Sequence, residues 1–150
     1  GRVETAWNAM FDRVRPLGDD VLLTSVDGEW SFRDTVRHLV FAIDKWFTIP
    51  ILGDETFSPI GLPNSGSADE PWPGVDRDAD PSVDEAIAVL RDRFDRYRTT
   101  VGSLDLSALP AETEIMENGL EPTLMCFQVV LEELFEHLRY ATRDLDVLTT

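Results

Sequence analysis

Two histidines and one glutamate are the residues of this chain whose types and spacing suit metal binding. His38 and His137 are the only histidines. They directly precede Leu39 and Leu138, which fall on the apolar stripes of two predicted helices. Glu133 precedes His137 by four residues, so on a helix both side chains lie on one face about one turn apart. Both can therefore reach one ion, with His38 as a third ligand from the other helix.

A set of two imidazoles and one carboxylate indicates zinc, with nickel as an alternative divalent ion. Three protein ligands leave a fourth coordination position open, which is typical of catalytic rather than structural zinc sites. The residues alone leave another interpretation open. In that interpretation Glu133 and His137 form an ordinary surface pair, and His38 is a boundary histidine bonded to a neighbour. Such spacing also arises by chance in a glutamate-rich helix, which here includes Glu132 and Glu136.

Other side chains with chemical potential have simpler interpretations. Cys126, the only cysteine, lies near the apolar face of the fourth predicted helix and is interpreted as a small buried hydrophobe. Four aromatic residues, Trp30, Trp46, Phe47 and Trp72, either line a pocket or pack in the core. The chain has no convincing Ser-His-Asp arrangement and no glycine-rich phosphate loop.

The charge balance narrows the class of partner. The formal net charge is −16, which repels phosphate backbones and anionic lipids and favours divalent cations. No apolar run approaches the roughly 18–20 residues of a transmembrane helix, and the N-terminus does not resemble a secretion signal. A single cysteine fits a reducing compartment. We therefore expect a cytoplasmic protein that binds neither nucleic acid nor membranes.

Four segments show the apolar periodicity of amphipathic helices. They run from Val3 to Leu17, from Ser31 to about Pro50, from Ser82 to Gly102, and from about Pro122 to the end of the chain. The second and third begin with a serine followed three residues later by an acid, which is the pattern of a helix N-cap. The apolar stripe of the fourth comprises Leu124, Phe127, Leu131, Leu134, Leu138, Ala141, Leu145 and Leu148.

Helices of this kind bury their stripes against each other, so residues 1–150 are predicted to form one all-α domain, an up-down-up-down four-helix bundle. Its second connection, Asp54 to Pro81, is long enough to be functional, mobile or a crossover around the bundle. Residues 104–121 are also irregular, and a turn at 117–119 indicates a short hairpin. In this topology the second and fourth helices run parallel. His38 lies nearer the start of its helix than Glu133 and His137 do, so the two helices would need offset starts.

Two stretches resemble the DinB-like superfamily, including its mycothiol-dependent maleylpyruvate isomerase branch. The first is WSFRDTVRHL at 30–39, followed by Asp44-Lys45-Trp46, and the second is ELFEHLRYATRDL at 133–145. The resemblance implies a four-helix bundle, often dimeric, with a divalent metal held by three side chains. In the isomerase branch these are His, Glu and His, which fall on His38, Glu133 and His137.

The resemblance also implies a metal-dependent enzyme that transfers or activates a small-molecule thiol, in the manner of an S-transferase. Two departures stand out: relatives often carry a second histidine where this chain has Leu138, and the isomerase has a C-terminal domain that residues 1–150 do not include. Isomerase activity itself is therefore not expected. The alternatives are a non-catalytic, metal-binding or dimerising stress-response module, and a bundle whose family site binds no ion.

Overall fold

The computed structural model describes every residue from Gly1 to Thr150. In chain order it contains helix α1 (Arg2–Val14), short helix α2 (Asp19–Leu22), helix α3 (Phe32–Ile43) continued by a wide π-helical turn (Asp44–Thr48), helix α4 (Val83–Gly102), strands β1 (Glu112–Ile115) and β2 (Gly119–Pro122), and helix α5 (Thr123–Thr149). Single 3-10 turns lie at Ser65–Ser67, Leu106–Ala108 and Met116–Asn118. The long helices α1, α3, α4 and α5 pack together, which confirms the predicted four-helix bundle.

The helix starts follow the predicted capping pattern. The hydroxyl of Ser82 accepts a hydrogen bond of 3.1 Å from the backbone N–H of Glu85, whose carboxylate accepts one of 2.7 Å from the N–H of Ser82. At α3 the hydroxyl of Ser31 accepts a bond of 3.2 Å from the N–H of Asp34. These bonds satisfy N–H groups that have no partner inside the helix, so the sequence determines where α3 and α4 begin.

Helices α3 and α4 run parallel to each other. Near the start of α3, Arg33 pairs at 2.6 Å with Asp80, just before α4. Beyond the end of α3, Asp44 pairs at 2.7 Å with Arg93, in the middle of α4. Contacts therefore advance along both helices in the same direction.

Helix α5 runs antiparallel to α3 and parallel to α1. Glu29, before α3, pairs with Arg143 late in α5, whereas Phe47 after α3 meets Phe127 early in α5. From α1, Trp7 donates to the carbonyl of Leu134, and Arg13 pairs with Asp146. The order of directions is thus up-down-down-up, and the predicted up-down-up-down order was wrong.

This order of directions explains the long second connection. Because α3 and α4 are parallel, the chain must travel back along the bundle between them, as in a crossover. The returning segment is packed: Phe57 is buried and stacks on Phe41 with ring centroids 4.8 Å apart. Its N–H donates to the carbonyl of Pro73, and Gly74 lies so near, at φ +87°, that a Cβ there would approach the carbonyl oxygen of Phe57 to 2.8 Å.

The core lies between the four long helices. Its buried apolar side chains include Trp7, Met10, Phe11 and Val14 from α1, Val36, Leu39, Val40 and Ile43 from α3, Ala86, Leu90 and Phe94 from α4, and Phe127, Val130, Leu134, Ala141 and Leu145 from α5. Two predicted core positions of α5 are exposed instead, Leu124 by 57% and Leu131 by 43%. The inward places are taken by Cys126, two positions after Leu124, and by Val130, one position before Leu131, because the heptad pattern fits more than one face of this long helix. The buried thiol of Cys126 agrees with its interpretation as a small hydrophobe.

Strands β1 and β2 form the short hairpin indicated by the sequence. They pair antiparallel, with Ile115 opposite Gly119 and Glu112 opposite Pro122. The hairpin leads directly into α5. None of the helices combines the length and the apolar character that crossing a lipid bilayer requires.

Candidate metal centre

The three residues singled out by the sequence meet at one point between α3 and α5. The Nε2 atom of His38 lies 3.4 Å from Oε2 of Glu133, and the Nδ1 atom of His137 lies 3.4 Å from the same oxygen. The imidazole rings of His38 and His137 are 5.0 Å apart between centroids. One nitrogen or oxygen atom from each of the three residues lies within 4.8 Å of the other two, so the three side chains can hold one metal ion.

The antiparallel packing of α3 and α5 brings these residues to the same level. A position about two turns into α3 faces the middle of the longer α5, so no offset of the helix starts is needed. The sequence analysis predicted that these two helices run parallel. That prediction was wrong, since α3 and α5 are antiparallel. The cluster is largely shielded from water, with 5% of the His38 side chain exposed, 14% of that of His137 and 34% of that of Glu133.

The main chain of the long connection orients His38. Its Nδ1 atom lies 3.0 Å from the carbonyl oxygen of Leu62. A carbonyl oxygen only accepts, so Nδ1 carries the proton of this bond and Nε2 presents a lone pair toward Glu133. Metal-binding histidines in proteins commonly have their second nitrogen bonded in this way.

His137 is oriented from within its own helix. Its Nδ1 atom lies 2.8 Å from the main-chain carbonyl oxygen of Glu133, one turn earlier. The same reasoning places the proton on Nδ1 and leaves Nε2 of His137 available as a ligand atom.

The Oε2 atom of Glu133 is buried and has no hydrogen-bond partner. A buried carboxylate oxygen without a partner is costly, unless a cation lies beside it. Ligand atoms about 2.0–2.1 Å from a tetrahedral zinc ion lie roughly 3.3–3.4 Å apart, which matches the 3.4 Å between Nε2 of His38 and Oε2 of Glu133. The donor set therefore fits a divalent ion such as zinc.

The local electrostatics keep these groups in the forms that bind a metal. The neighbouring His38 is the main cause that lowers the pKa of Glu133, and His137 adds to the effect, although burial opposes it. Burial is the main cause that lowers the pKa of His137 below its ordinary value of 6.5, and the neighbouring His38 adds to the effect. At neutral pH the carboxylate is thus ionised and the His137 imidazole is neutral, as metal ligands must be.

Aromatic rings surround the two imidazoles. Trp30 lies over His38 with ring centroids 4.3 Å apart and is 6.3 Å from the ring of His137. Tyr140 meets His137 edge to face at 5.8 Å. Trp30 and Tyr140 also line a groove of about 380 Å³ that reaches His137. We call this space, bounded by Gly28, Glu29, Trp30, Thr35, Ser65, His137, Tyr140 and Asp144, the α5 groove.

The other aromatic candidates do not reach the cluster. Phe47 is fully buried in the core, and Trp72 packs edge-on against Phe41 and Phe57 in the long connection. Trp46 is half-buried beside the ammonium group of Lys45. Of the four aromatic residues singled out from the sequence, only Trp30 lines the space next to the imidazoles.

A buried ion pair anchors the segment that carries Leu62. Asp44 is fully buried and accepts bonds from Arg93 at 2.7 Å, from the hydroxyl of Thr48 at 2.6 Å and from the N–H of Ser58 at 2.8 Å. Its carboxylate thus joins the turn after α3, helix α4 and the long connection.

A second tie lies closer to the cluster. Arg37, 7% exposed, donates to the carbonyl of Ile60 at 2.9 Å, and its own carbonyl accepts from the N–H of Leu62. Four residues after the anchored Ser58, the connection therefore holds the Leu62 carbonyl against His38.

Sequence reasoning missed several contributors to this region. The Leu62 carbonyl belongs to the main chain, and no side-chain type signals its role. Thr35 and Asp144 line the α5 groove, but as single polar residues on helices they have no distinctive pattern. The position of Tyr140 could have been predicted from the sequence, because it follows His137 by three residues and therefore lies on the same helix face.

Comparison with known proteins places the chain in a family. The sequence profile of the DinB superfamily matches residues 2–141, nearly the whole chain. No curated protein and no solved structure matches it significantly. The profile, the four-helix bundle and the cluster of His38, Glu133 and His137 agree with one another. The chain belongs to the DinB superfamily.

Proposed function

We propose that this protein is a divalent-metal-dependent enzyme whose substrate is a small-molecule thiol, with zinc as the metal and nickel as the alternative. The observation that carries the metal part is the buried, unpartnered Oε2 atom of Glu133 between two imidazoles. The thiol part rests on the resemblance of His38, Glu133 and His137 to the ligand set of the thiol-dependent isomerase branch.

Each residue of the site has a distinct part in this proposal. His38, Glu133 and His137 would hold the ion, with Leu62 orienting the first imidazole. When bound, such an ion stabilises a thiolate at neutral pH. Trp30 covers one side of the imidazoles and limits access of water from that side. The α5 groove gives a small molecule a path to His137.

Metal binding is tested by elemental analysis and zinc titration of the purified protein. We expect one ion per chain in the wild type, and an affinity at least about 100-fold lower in Glu133→Gln and in His38→Ala, since even outer partners of metal ligands contribute 10–100-fold. Glu136→Gln is the matched control, because Glu136 lies on the same helix and pairs only with Arg139. Equal zinc affinity in all four proteins would rule out the proposed site.

Catalysis is tested separately by assaying thiol addition to a panel of electrophiles. We expect turnover that disappears on chelation and returns with zinc, and that is absent from His38→Ala. A protein that binds zinc tightly yet accelerates none of these reactions would favour the non-catalytic alternative.

One observation favours an assembly role alongside or instead of catalysis. Among the large apolar side chains that helix α5 exposes are Leu124, Leu131 and Phe135, with Phe135 exposed by 57%. The spacings of seven and four residues place them on one face of the helix. We propose that this α5 face pairs with a second copy of the chain in a homodimer.

A further inference from the structure

Arg37 precedes the first candidate ligand in the sequence and is almost as deeply buried, with 8% of its side chain exposed against 5% for His38. Successive residues of an α-helix point about 100° apart, so the two side chains leave α3 in different directions. That of Arg37 lies against the long connection, in a space that Gly61 and Leu62 also line. Burying a charged group is costly unless its bonds compensate, so the role of Arg37 should follow from the bonds that it makes.

Arg37 and His38 together hold both polar main-chain groups of Leu62. The N–H of Leu62 donates over 3.2 Å to the carbonyl oxygen of Arg37, and the carbonyl oxygen of Leu62 accepts from Nδ1 of His38 at 3.0 Å. The Nε–H of Arg37 donates over 2.9 Å to the carbonyl oxygen of Ile60. Two adjacent residues of α3 therefore bind residues 60–62 through these bonds, which we call the Arg37 clamp.

The clamped segment lies close against α3. A Cβ atom at Gly61 would come to 3.2 Å from the carbonyl oxygen of Ser58 and to 3.4 Å from the Cβ atom of Phe41 on α3. A segment packed this closely has little room to move toward or away from the helix. The bond from Arg37 to Ile60 therefore helps to determine where the Leu62 carbonyl stands.

The charge of Arg37 contributes less to the clamp than its Nε–H does. Its only ionic partner is Asp34, 3.4 Å from Nη1, and that carboxylate also meets Arg33 at 3.2 Å. The shortest bond of Arg37 goes instead to a neutral carbonyl, that of Ile60. An uncharged donor at the position of Nε could form the same bond.

The position of the Leu62 carbonyl matters because two acceptors compete for the single proton of a neutral His38 ring. With the proton on Nδ1, the ring donates to Leu62 and keeps a lone pair on Nε2 for a metal ion. With the proton on Nε2, the ring would point a donor at Oε2 of Glu133, 3.4 Å away, which lacks a partner. The second tautomer satisfies Glu133 inside the protein and leaves Nε2 unable to bind metal.

We propose that Arg37 is a positioning residue of the metal centre, which holds the Leu62 carbonyl in place and thereby keeps His38 in the tautomer that binds metal. The inference rests on the proposed function, because it assumes that His38, Glu133 and His137 hold an ion. It adds a residue that touches neither the ion nor the substrate and acts through the main chain of the long connection.

Two variants of matched length separate the hydrogen bond from the charge. The amide Nε2 of glutamine is attached to Cδ, as Nε of arginine is, so Arg37→Gln keeps a donor at that position without the charge. Arg37→Met has no donor and also lacks the charge. Arg37→Leu, likewise without a donor, repeats the methionine measurement with a side chain of different shape.

The first measurement is the tautomer of His38 in the metal-free protein, read by long-range ¹H–¹⁵N NMR correlation in buffer alkaline enough to keep the ring neutral. We expect the population with the proton on Nδ1 to fall in Arg37→Met and to return in Arg37→Gln. The second is zinc affinity by competitive titration. We expect a loss of about tenfold in Arg37→Met, the lower end of the effect of outer partners of metal ligands, and most of the wild-type affinity in Arg37→Gln.

Arg96→Met is the matched control. Arg96 anchors the same long connection, but at Asp54, with bonds of 2.8 Å to both carboxylate oxygens. This variant removes the same charge and loosens the connection at a point eight residues before Leu62. We expect it to lower the urea midpoint of unfolding while the His38 tautomer and the zinc affinity stay as in the wild type.

The outcomes separate this inference from the proposed function. A wild-type protein that binds no zinc would overturn the proposed function and the inference with it. Zinc bound by the wild type, with affinity and tautomer unchanged in Arg37→Met, would overturn only the inference. So would an equal loss in the methionine and glutamine variants, which would assign the effect to charge, or an equal loss in Arg96→Met. Loss of the fold in both Arg37→Met and Arg37→Leu would assign the bond to stability alone and would likewise overturn the inference.

Discussion

His38 and Leu62 are joined by a hydrogen bond although 24 residues separate them in the chain. The Nδ1–H of the imidazole donates over 3.0 Å to the main-chain carbonyl oxygen at the end of the packed segment 57–62. The long connection therefore orients one of the three proposed metal ligands through its main chain.

This bond predicts the protonation state of one nitrogen atom. In the metal-free protein at pH 8 we expect the Nδ1 atom of His38 to carry a proton, because the Leu62 carbonyl only accepts. Long-range ¹H–¹⁵N NMR correlation of ¹⁵N-histidine-labelled protein reports this directly, and His38→Ala assigns the signal. An Nδ1 atom without a proton would mean that Leu62 does not orient the ring.

The pKa shifts predict how metal affinity depends on pH. Burial keeps the pKa of His137 below its ordinary 6.5, so protons compete with zinc at this ligand only below that value. The lowered pKa of Glu133 keeps the carboxylate ionised in the same range. We expect zinc affinity to change little at His137 between pH 8 and 7 and to fall in more acidic solution. Isothermal titration in several buffers measures this, and a loss already complete at pH 7 would contradict it.

The same shifts predict the pH dependence of folding without metal. The unfolded chain takes up a proton at His137 near pH 6.5 and at Glu133 near 4.5, whereas the folded state does so only at lower pH. Both groups therefore stabilise the fold above the unfolded-state pKa and lose that contribution as the pH falls. Urea unfolding of the metal-free protein should show a free energy of unfolding that decreases below pH 6.5. The decrease should be shallower in His137→Gln, and an identical slope would contradict the assignment.

The buried pair of Asp44 and Arg93 should be essential for stability. Asp44→Ala leaves the N–H of Ser58 without its partner and leaves Arg93 with only the exposed Asp92, and removing one partner of a buried ion pair costs about 3–5 kcal/mol. Asp12→Ala is the control, because Asp12 and Arg15 form an exposed pair that contributes about 0–1 kcal/mol. Urea denaturation compares the two. A loss below about 1 kcal/mol in Asp44→Ala would show that the network is dispensable.

The α5 face should control the oligomeric state. A charge in the middle of an apolar interface is strongly unfavourable, so Phe135→Lys should convert the proposed homodimer into a monomer without unfolding it. Leu106→Lys is the matched control, since Leu106 is 60% exposed and lies outside α5. Light scattering after size exclusion gives the masses. A wild-type monomer, or a dimer that survives Phe135→Lys, would refute this interface.

Much of the fold follows from local features of the sequence. The serine caps at Ser31 and Ser82 and the apolar periodicities determine where helices form, since each depends on residues within one or two turns. The three candidate metal ligands could be singled out because His38 and His137 are the only histidines and Glu133 lies one turn before the second. Their spacing alone left an ordinary surface pair possible, and the resemblance to the DinB-like superfamily favoured a shared ion.

The tertiary structure alone decided how the helices run and what surrounds the ligands. The apolar periodicity of a helix is the same whichever way the helix runs in the bundle. It therefore does not distinguish the up-down-down-up order from up-down-up-down. That choice depends on how the long connection packs through Phe57 and how Asp44 meets Arg93. The role of the Leu62 carbonyl could not be read from the sequence either, because every residue has a main-chain carbonyl. Local chemistry thus specified the helices and the candidate ligand residues, while contacts between residues distant in the chain specified how they face each other.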